Sequence, residues 1–431
     1  MLTSIHIENF KSYRNESLRL SPLSLMIGAN ASGKSNALEA FRFLCWLSQG
    51  QKLSVLKHRI DDSDKVLRGQ IRDLPYLKTD KFKIGCKTDD QTWNQLEIEL
   101  TIRDDELHIS YEAITSPSEK YPLYRVEHAS TGFSTDIRVA YNNFSAGGRK
   151  PQVSCTDQIA VMCQLASSAM FDSGHKKTQA LIPKITDRFQ SDLQETLFLD
   201  PVPSLMRGDS YAERKLRGDC SNLSGVLYTL WQDEHKRPII IEFIKSLPEQ
   251  DIKSIDFFKD RRDRYSLELI ESFGETDRKW SVELLSDGTL RVLAIAAALL
   301  SAPEGSTVII EEVDNGVHPS RAKQLLTTMR EQAETRNLRL LLTTHNPALM
   351  DALPDKALGD VIFCYRDPIE GDSRLIRLAD LKDYAGLVSQ GPLGELVTNG
   401  IVDRFVKAPE TPDQKKKNAL EWLSRMQGGN S

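Results

Sequence analysis

The sequence predicts an α/β fold: a core sheet with a phosphate-loop motif, an antiparallel β-subdomain, and an inserted, mostly helical lobe. Two short apolar runs, Leu23–Ile27 and Thr307–Ile310, are each followed by turn-forming or acidic residues, as buried parallel strands are when they end at a site. Residues Gln95–Arg103 alternate between apolar and polar side chains, which indicates a strand with one buried face. Between these segments, residues 156–250 have mainly helical character, including Leu223–Trp231.

A glycine-rich turn joins the strand at Leu23–Ile27 to a helix that begins at Lys34. It fits the pattern G-x-x-x-x-G-K-[ST], and the strand–loop–helix context is the one that a phosphate loop requires. Backbone N–H groups would bind the β- and γ-phosphates, Lys34 would add a positive charge, and the Ser35 hydroxyl would ligate Mg²⁺. The alternative is a Gly/Ser-rich turn that matches by chance. The predicted nucleotide-binding residues here are Gly28, Ala29, Asn30, Ala31, Ser32, Gly33, Lys34, Ser35 and Asn36.

Two carboxylates, Glu311 and Glu312, follow the apolar strand at Thr307–Ile310. Adjacent strand residues point to opposite faces, so the sequence predicts different roles for them. Beside a phosphate loop, one carboxylate can hold the magnesium shell while the other orients the attacking water. We assign Glu311 to the metal and Glu312 to the water; an ordinary acidic strand end is the alternative.

A further apolar strand, Leu338–Leu342, ends in Thr343, Thr344 and His345. A lone histidine is more often structural than functional. At the end of a core strand, however, its ring can hydrogen-bond a γ-phosphate. The position of His345 at a strand end, 33 residues after Glu312, favours this functional role.

The signature segment, Leu285–Thr289, precedes an apolar helix over Leu290–Leu300. Ser286, Gly288 and the first amides of that helix would form a second anion site. A plain helix cap is the alternative, because Ser, Asp and Gly commonly precede an apolar run. Two anion sites far apart in one chain have two explanations: either they bind different ligands, or the second closes over the phosphates of a nucleotide bound to another copy.

Together these motifs resemble those of ABC-type ATPases of the RecF/SMC/OLD-like group. The resemblance covers about residues 1–50 and 280–366. It implies an ABC ATPase head that binds ATP and Mg²⁺ and hydrolyses ATP, with Lys34, Glu312 and His345 as catalytic residues. The similar segments are Ile5–Tyr13, Ser286–Arg291, Glu311-Glu312, Asn315–Pro319 and Thr343–Pro347.

The chain departs from the group at three places. The first acid of the Walker B strand is usually Asp and is Glu311 here, and His318 replaces the usual Asp of the dimer-contact loop. The glutamine between the lobes is not identifiable, although Gln158 and Gln164 are candidates.

The composition of the chain bears on its contacts with DNA, on its compartment and on whether it crosses a membrane. The chain has 431 residues, of which 40% are hydrophobic and 27% are charged. Its net charge is −5, so any contact with DNA must come from local basic clusters such as Lys259–Arg264. Six cysteines without a C-x-x-C pair favour a reducing cytoplasm. The longest apolar run, Val292–Leu300, is too short to cross a bilayer, and no signal sequence is evident. We therefore expect a cytoplasmic protein without a membrane partner.

Four segments are predicted: an N-terminal ATPase lobe (1–150), a mostly helical insertion (151–253), a C-terminal ATPase lobe (254–406), and a linker with a short tail helix (407–431). No apolar heptad persists over several repeats, so a long coiled coil is not expected.

In the group that the chain resembles, two heads sandwich two ATP molecules, so that Ser286 and Gly288 would act on the partner's nucleotide. The resemblance implies a homodimer or higher oligomer whose ATP cycle is coupled to DNA or to a separate nuclease or toxin, with anti-phage defence favoured. Two alternatives stay open. One is a slow, nucleotide-gated scaffold that sequesters a partner, and the other is a RecF-like DNA-repair clamp.

Overall fold

A computed structural model describes residues 1–56, 66–77, 79–245, 252–273, 276–315 and 317–407. Gly316, the predicted tail helix and the rest of 408–431 lie outside these residues. One 14-stranded sheet organises the structure, in the order β10-β15-β16-β3-β17-β18-β2-β1-β4-β5-β6-β7-β8-β9. Its strands are β1 (Leu2–Phe10), β2 (Tyr13–Arg19), β3 (Ser24–Ile27), β4 (Lys81–Thr88), β5 (Gln95–Arg103), β6 (Glu106–Thr115), β7 (Tyr124–His128), β8 (Asp136–Tyr141), β9 (Gln152–Thr156), β10 (Leu197–Leu199), β15 (Thr307–Ile310), β16 (Arg339–Thr343), β17 (Ile362–Arg366) and β18 (Ser373–Arg377).

The five strands from β10 to β17 in this order are parallel, and they form the core of the sheet. All four residues of β3 and of β15 are buried, which explains their continuous apolar sequences. Because neighbouring parallel strands end at the same edge, the segments that follow β3, β15, β16 and β17 meet there. This edge is where the candidate site lies.

The antiparallel part of the same sheet runs from β1 through β4 to β9. Strand β5 has the bounds that its alternation predicts, with Leu96, Ile98 and Leu100 buried. Strand β9 pairs with β8, so the antiparallel sheet continues past the predicted boundary at residue 150.

A second sheet of four strands has the order β11-β13-β12, with β14 paired to β13. Its strands are β11 (Ser210–Tyr211), β12 (Ile252–Lys259), β13 (Arg264–Phe273) and β14 (Thr276–Ser281). Strand β10 also lies within the segment predicted as a helical insertion, yet it pairs with β15 in the core sheet. This segment is therefore joined to both sheets, and the predicted domain boundaries stay predictions.

Helices cover the core sheet on its apolar faces, and two clusters of buried side chains fill the space between them. Within the described residues, no helix combines the length and apolar content needed to cross a membrane. The α-helices are α1 (Lys34–Leu47), α2 (Val161–Gln164), α3 (Lys176–Gln194), α4 (Pro203–Met206), α5 (Leu223–Trp231), α6 (Arg237–Lys245), α7 (Asp287–Ser301), α8 (Pro319–Thr335), α9 (Pro347–Asp351), α10 (Asp355–Leu358), α11 (Tyr384–Val388), α12 (Leu393–Thr398) and α13 (Ile401–Lys407).

A buried carboxyl group joins the antiparallel strands to α2. Glu112 of β6 accepts hydrogen bonds from the Tyr124 hydroxyl (2.7 Å) and from the backbone N–H groups of Val161 (2.7 Å) and Met162 (2.6 Å). Burial raises the pKa of Glu112 to about 7, although these three hydrogen bonds favour the charged form and oppose the rise.

Replacing Glu112 with Gln is expected to change how stability depends on pH. The folded pKa of about 7 lies above the unfolded value of 4.5, so the stability from this group is complete below pH 4.5 and is lost as pH rises through 7. The loss is up to about 3 kcal/mol. Gln does not titrate, so the free energy of unfolding of the variant should rise relative to that of the wild type as pH increases. Urea unfolding from pH 5 to 8 measures this difference. A control, Glu119→Gln in an exposed loop, should run parallel to the wild type; a parallel Glu112→Gln curve would contradict the expectation.

Candidate functional site

A cavity of about 410 Å³ opens at the edge of the core sheet where the parallel strands end. Its size is within the roughly 300–1,000 Å³ of small-molecule sites. It brings together the phosphate loop, both carboxylates after β15, and the histidine after β16. The lining residues are Ala29, Asn30, Ala31, Ser32, Gly33, Lys34, Ser35, Asn36, Leu38, Arg68, Glu311, Glu312, Thr343, Thr344, His345 and Arg366.

The first and last glycines of the phosphate loop are required by close contacts. A Cβ atom on Gly28 would lie 2.1 Å from the carbonyl oxygen of Cys364 in β17, and one on Gly33 would lie 2.4 Å from Ser373 Oγ in β18. Both glycines also have positive φ angles, 145° and 120°. Any side chain here would push the loop away from the strands that support it.

The β1–β2 hairpin also holds the phosphate loop in place. The Tyr13 hydroxyl donates to the carbonyl oxygen of Gly33 (3.0 Å), and Asn36 Nδ2 donates to Ser12 Oγ (2.8 Å). Lys11 forms an ion pair with Glu39 of α1 (2.5 Å). The Phe-Lys-Ser-Tyr turn thus holds the loop and its helix, a role that the sequence motif alone did not specify.

Lys34 begins α1 and its side chain folds along the loop. Its ammonium donates to the carbonyl oxygens of Gly28 (2.6 Å) and Ala29 (3.1 Å), and burial lowers its pKa. Ser35 and Asn36 follow on the first turn and line the same cavity. A helix N-terminus with its free N–H groups directed at the cavity favours an anion there.

Glu311 forms an ion pair with a basic side chain of α1. Its Oε1 accepts from Arg42 of α1 at 3.2 Å, and burial raises its pKa while the Arg42 charge opposes that rise. The structure corrects the argument from strand alternation, because β15 ends at Ile310 and both carboxylates line one cavity. The two carboxylates differ in their hydrogen-bond partners, and not in the face of the sheet on which they lie.

Glu312 has a left-handed backbone, with φ 49°. Its N–H donates to Thr343 Oγ1 (2.9 Å), and its Oε2 accepts from Asn315 (2.8 Å). A non-glycine residue in this conformation costs about 1–3 kcal/mol and is found most often at functional sites. The strained turn directs this carboxylate into the cavity.

His345 is exposed at the cavity, two residues beyond the end of β16. Thr344, before it, donates to Asp314 (2.6 Å) and ties the turn of the acidic pair to β16. His318 caps α8 by accepting from the Ser320 N–H (3.3 Å). His318 therefore has a local structural role as well as its place in the predicted dimer-contact loop.

The signature segment lies outside the cavity. Ser286 is the N-cap of α7, and its Oγ accepts from the Thr289 N–H (3.1 Å). Gly288 follows in the first turn, and Asp287 is held by Arg207 at 2.5 Å. Neither Ser286 nor Gly288 lines the cavity that contains the phosphate loop.

Neither candidate glutamine reaches the cavity. Gln158 donates to the carbonyl oxygen of Leu107 (3.1 Å), and Gln164 donates to that of Ile159 (2.7 Å). Two arginines, Arg68 and Arg366, line the cavity and were missed from the sequence. No motif marks them, because each is brought there by tertiary contacts.

The side chains in the cavity fit a magnesium ion. Ser35 and Glu311, the two residues predicted to hold it, line the same cavity. Within the described residues, no three His, Cys, Asp or Glu side chains are grouped to hold a metal by themselves. Mg²⁺ commonly keeps several waters and takes few protein ligands besides substrate phosphates, so a hydroxyl and a carboxylate are a suitable pair.

Comparisons with known proteins find matches to ATPase families. Residues 1–198 match the family described as "AAA ATPase domain", and residues 207–351 match "AAA domain, putative AbiEii toxin, Type IV TA system". An "ATP/GTP phosphatase" of Helicobacter pylori is 21% identical over 373 residues, covering 85% of this chain and 90% of that protein.

Two solved SMC heads are also similar. An SMC head bound to the C-terminal winged-helix domain of ScpA has 13% identity and a TM-score of 0.46, covering 87% of this chain and 96% of its own. The SMC head domain from Thermotoga maritima has 12% identity and a TM-score of 0.36, covering 87% and 98%. The two family matches both describe ATPase domains, and they support the resemblance of this chain to ABC-type ATPases of the RecF/SMC/OLD-like group.

Replacing Ala31 with Gly is expected to stabilise the protein. Ala31 has φ 62°, a left-handed conformation that costs an L-residue roughly 1–2 kcal/mol. After the greater freedom of unfolded Gly is deducted, the free energy of unfolding should rise by about 0.5–1 kcal/mol. The control, Ala37→Gly inside α1, should lose at least about 1 kcal/mol. Urea unfolding of both variants checks the pair, and a less stable Ala31→Gly protein would contradict the expectation.

Proposed function

We propose that this protein binds Mg-ATP in the cavity and hydrolyses it. The observation that carries the proposal is the meeting of Lys34, Glu312 and His345 around one cavity from three separate parts of the chain. Phosphoryl transfer requires cations and N–H donors for the phosphates, and a group that orients the attacking water. The cavity is lined by both kinds of group.

Each residue has a role that follows from its surroundings. Residues 28–36 and the Lys34 ammonium hold the phosphates, and Glu312 accepts a proton from the attacking water as general base. His345 donates a hydrogen bond to the γ-phosphate. Ser35 and Glu311 would hold Mg²⁺, which neutralises charge on the phosphates when bound. Arg42 keeps Glu311 in place and reduces its repulsion of the nucleotide.

Replacing Lys34 with Ala should weaken ATP binding by about a hundredfold, because charge-assisted hydrogen bonds to the phosphates are lost. Glu312→Gln should keep binding but slow hydrolysis by roughly 10²–10⁴-fold, as expected for loss of a general base. Calorimetry and phosphate release measure the two effects, with Glu331→Gln on the far end of α8 as control. Hydrolysis at the wild-type rate by Glu312→Gln would show that another group activates the water.

We also propose that two copies close head to tail over two ATP molecules. The signature segment offers a capped helix N-terminus, but it does not line its own chain's cavity, so it is available to the nucleotide of a partner. A helix N-terminus favours a negative charge such as a γ-phosphate. In this arrangement each ATP is held by the phosphate loop of one copy and by Ser286 and Gly288 of the other.

Light scattering of Glu312→Gln protein tests this arrangement. Mg-ATP should double its mass, and adding Ser286→Arg should prevent the doubling because a bulky cation would fill the contact. The matched control adds Ser118→Arg, in an exposed loop after β6, and should still double. If Ser286→Arg protein also doubles, the copies meet through another surface; if ATP never changes the mass, nucleotide does not drive pairing.

The ATP cycle is proposed to control a separate toxin or nuclease, in a cytoplasmic defence system. The family description matched by residues 207–351 names a toxin of a toxin–antitoxin system, which supports this setting. All six cysteines are free thiols, consistent with a reducing compartment. Closure of the two heads would be the event that the partner senses.

DNA is the second candidate partner. In the predicted basic cluster, Lys259 pairs with Asp263 and Arg264 pairs with Asp209, so these charges are largely neutralised. At the tip of the β12–β13 hairpin, Arg261 and Arg262 have no ion pair among the described residues and would supply the phosphate contacts. A slow scaffold and a repair clamp would use the same cavity.

A further inference from the structure

Three arginines lie at or beside the cavity, and two of them have carboxylate partners. Arg42 pairs with Glu311 (3.2 Å) and Arg68 with Glu39 (3.0 Å). The third, Arg366, has no carboxylate partner within the described parts of the chain. Its guanidinium donates instead to two backbone carbonyl oxygens. A full positive charge therefore faces a phosphate-binding cavity without a neutralising group.

The position of Arg366 follows from the order of the strands. It is the last residue of β17, which pairs in parallel with β3 on one side of the phosphate loop. Strand β16 pairs with β3 on the other side, and β15 lies beyond it. Glu312 and His345 follow β15 and β16, so they stand across the loop from Arg366.

This order sets a direction for the nucleotide, if the proposed function is correct. The γ-phosphate lies beside Glu312 and His345, and the phosphate chain crosses the loop toward β17. The end that reaches Arg366 is then the α-phosphate and the nucleoside. A cation at this end can bind ADP as well as ATP, which distinguishes it from a group that contacts the γ-phosphate.

The guanidinium is held in place before any nucleotide arrives. Its Nε donates to the carbonyl oxygen of Ala31 in the phosphate loop (3.4 Å), and its Nη1 donates to that of Gly371 in the turn before β18 (2.5 Å). Arginine carries five N–H donors, so three stay available after these two bonds. Arginine also matches the geometry of phosphate oxygens better than lysine does. We propose that Arg366 binds the α-phosphate of the nucleotide.

The test measures nucleotide affinity by calorimetry for wild-type protein, Arg366→Ala, Arg366→Lys and a control, Arg377→Ala. Arg377 lies in the neighbouring strand β18 and also donates to a backbone carbonyl, that of Gly359 (3.1 Å), but it does not line the cavity. The ligands are ADP, CDP and the β,γ-imido analogue of ATP. Thermal unfolding of each variant checks that the fold is intact.

Arg366→Ala should bind all three nucleotides about 10- to 100-fold more weakly, by the same factor, because the lost contact is common to them. Arg366→Lys should recover part of the affinity, since it keeps the charge, and Arg377→Ala should bind as wild type does. The inference is overturned if only the ATP analogue is affected, which would indicate a γ-phosphate contact. It is also overturned if ADP is affected and CDP is not, which would indicate a base contact, or if no affinity changes.

The outcomes for the proposed function are separate. If wild-type protein binds no nucleotide, or if Lys34→Ala binds as wild type does, both proposals fail. If Lys34→Ala loses binding while Arg366→Ala keeps it in full, only the α-phosphate contact is wrong.

Discussion

The close contact between the phosphate loop and the strands beneath it is the constraint on which the site depends. Gly33 packs against Tyr13 and Ser373, and Gly28 packs against the carbonyl of Cys364, at distances that leave no room for a Cβ atom. These contacts come from the first hairpin and from strands β17 and β18. The loop therefore has its shape only when both ends of the chain are folded around it, and the cavity takes its shape from the loop.

Electrostatics follow from this geometry. A site for a polyanion that also needs carboxylates must keep the two kinds of negative charge from repelling each other. Here each carboxylate beside the phosphate loop has a cation or an amide against it: Arg42 at Glu311, Asn315 at Glu312, and Lys11 with Arg68 at Glu39. Burial raises the pKa of Glu311 and lowers that of Lys34. Because burial disfavours the charged form of both groups, each depends on a nearby partner to stay charged.

Local sequence patterns predicted the strands that are buried on both faces or on one face only. The buried strand Thr307–Ile310 and the alternating strand Gln95–Arg103 have the bounds expected from their sequences, and the phosphate loop lies between strand and helix as its motif requires. Features that depend on distant pairing were not predictable. Three features depend on which strands are neighbours. They are the pairing of β10 with β15 in the core sheet, the left-handed turn at Glu312, and the position of Arg366. A lone arginine at a strand end has no pattern until that neighbour is known.

The distribution of the site along the chain has a consequence for biosynthesis. The phosphate loop is complete in sequence by residue 36, but Ser373, which packs against Gly33, is made more than 330 residues later. At bacterial or eukaryotic elongation rates this interval is on the order of 20–70 s. During translation the nascent chain thus carries the loop and the first hairpin before β17 and β18, which also support the loop, have been made. Release of a nucleotide-competent protein is tied to completion of β18, so a prematurely terminated chain would lack a formed site even with its motif intact.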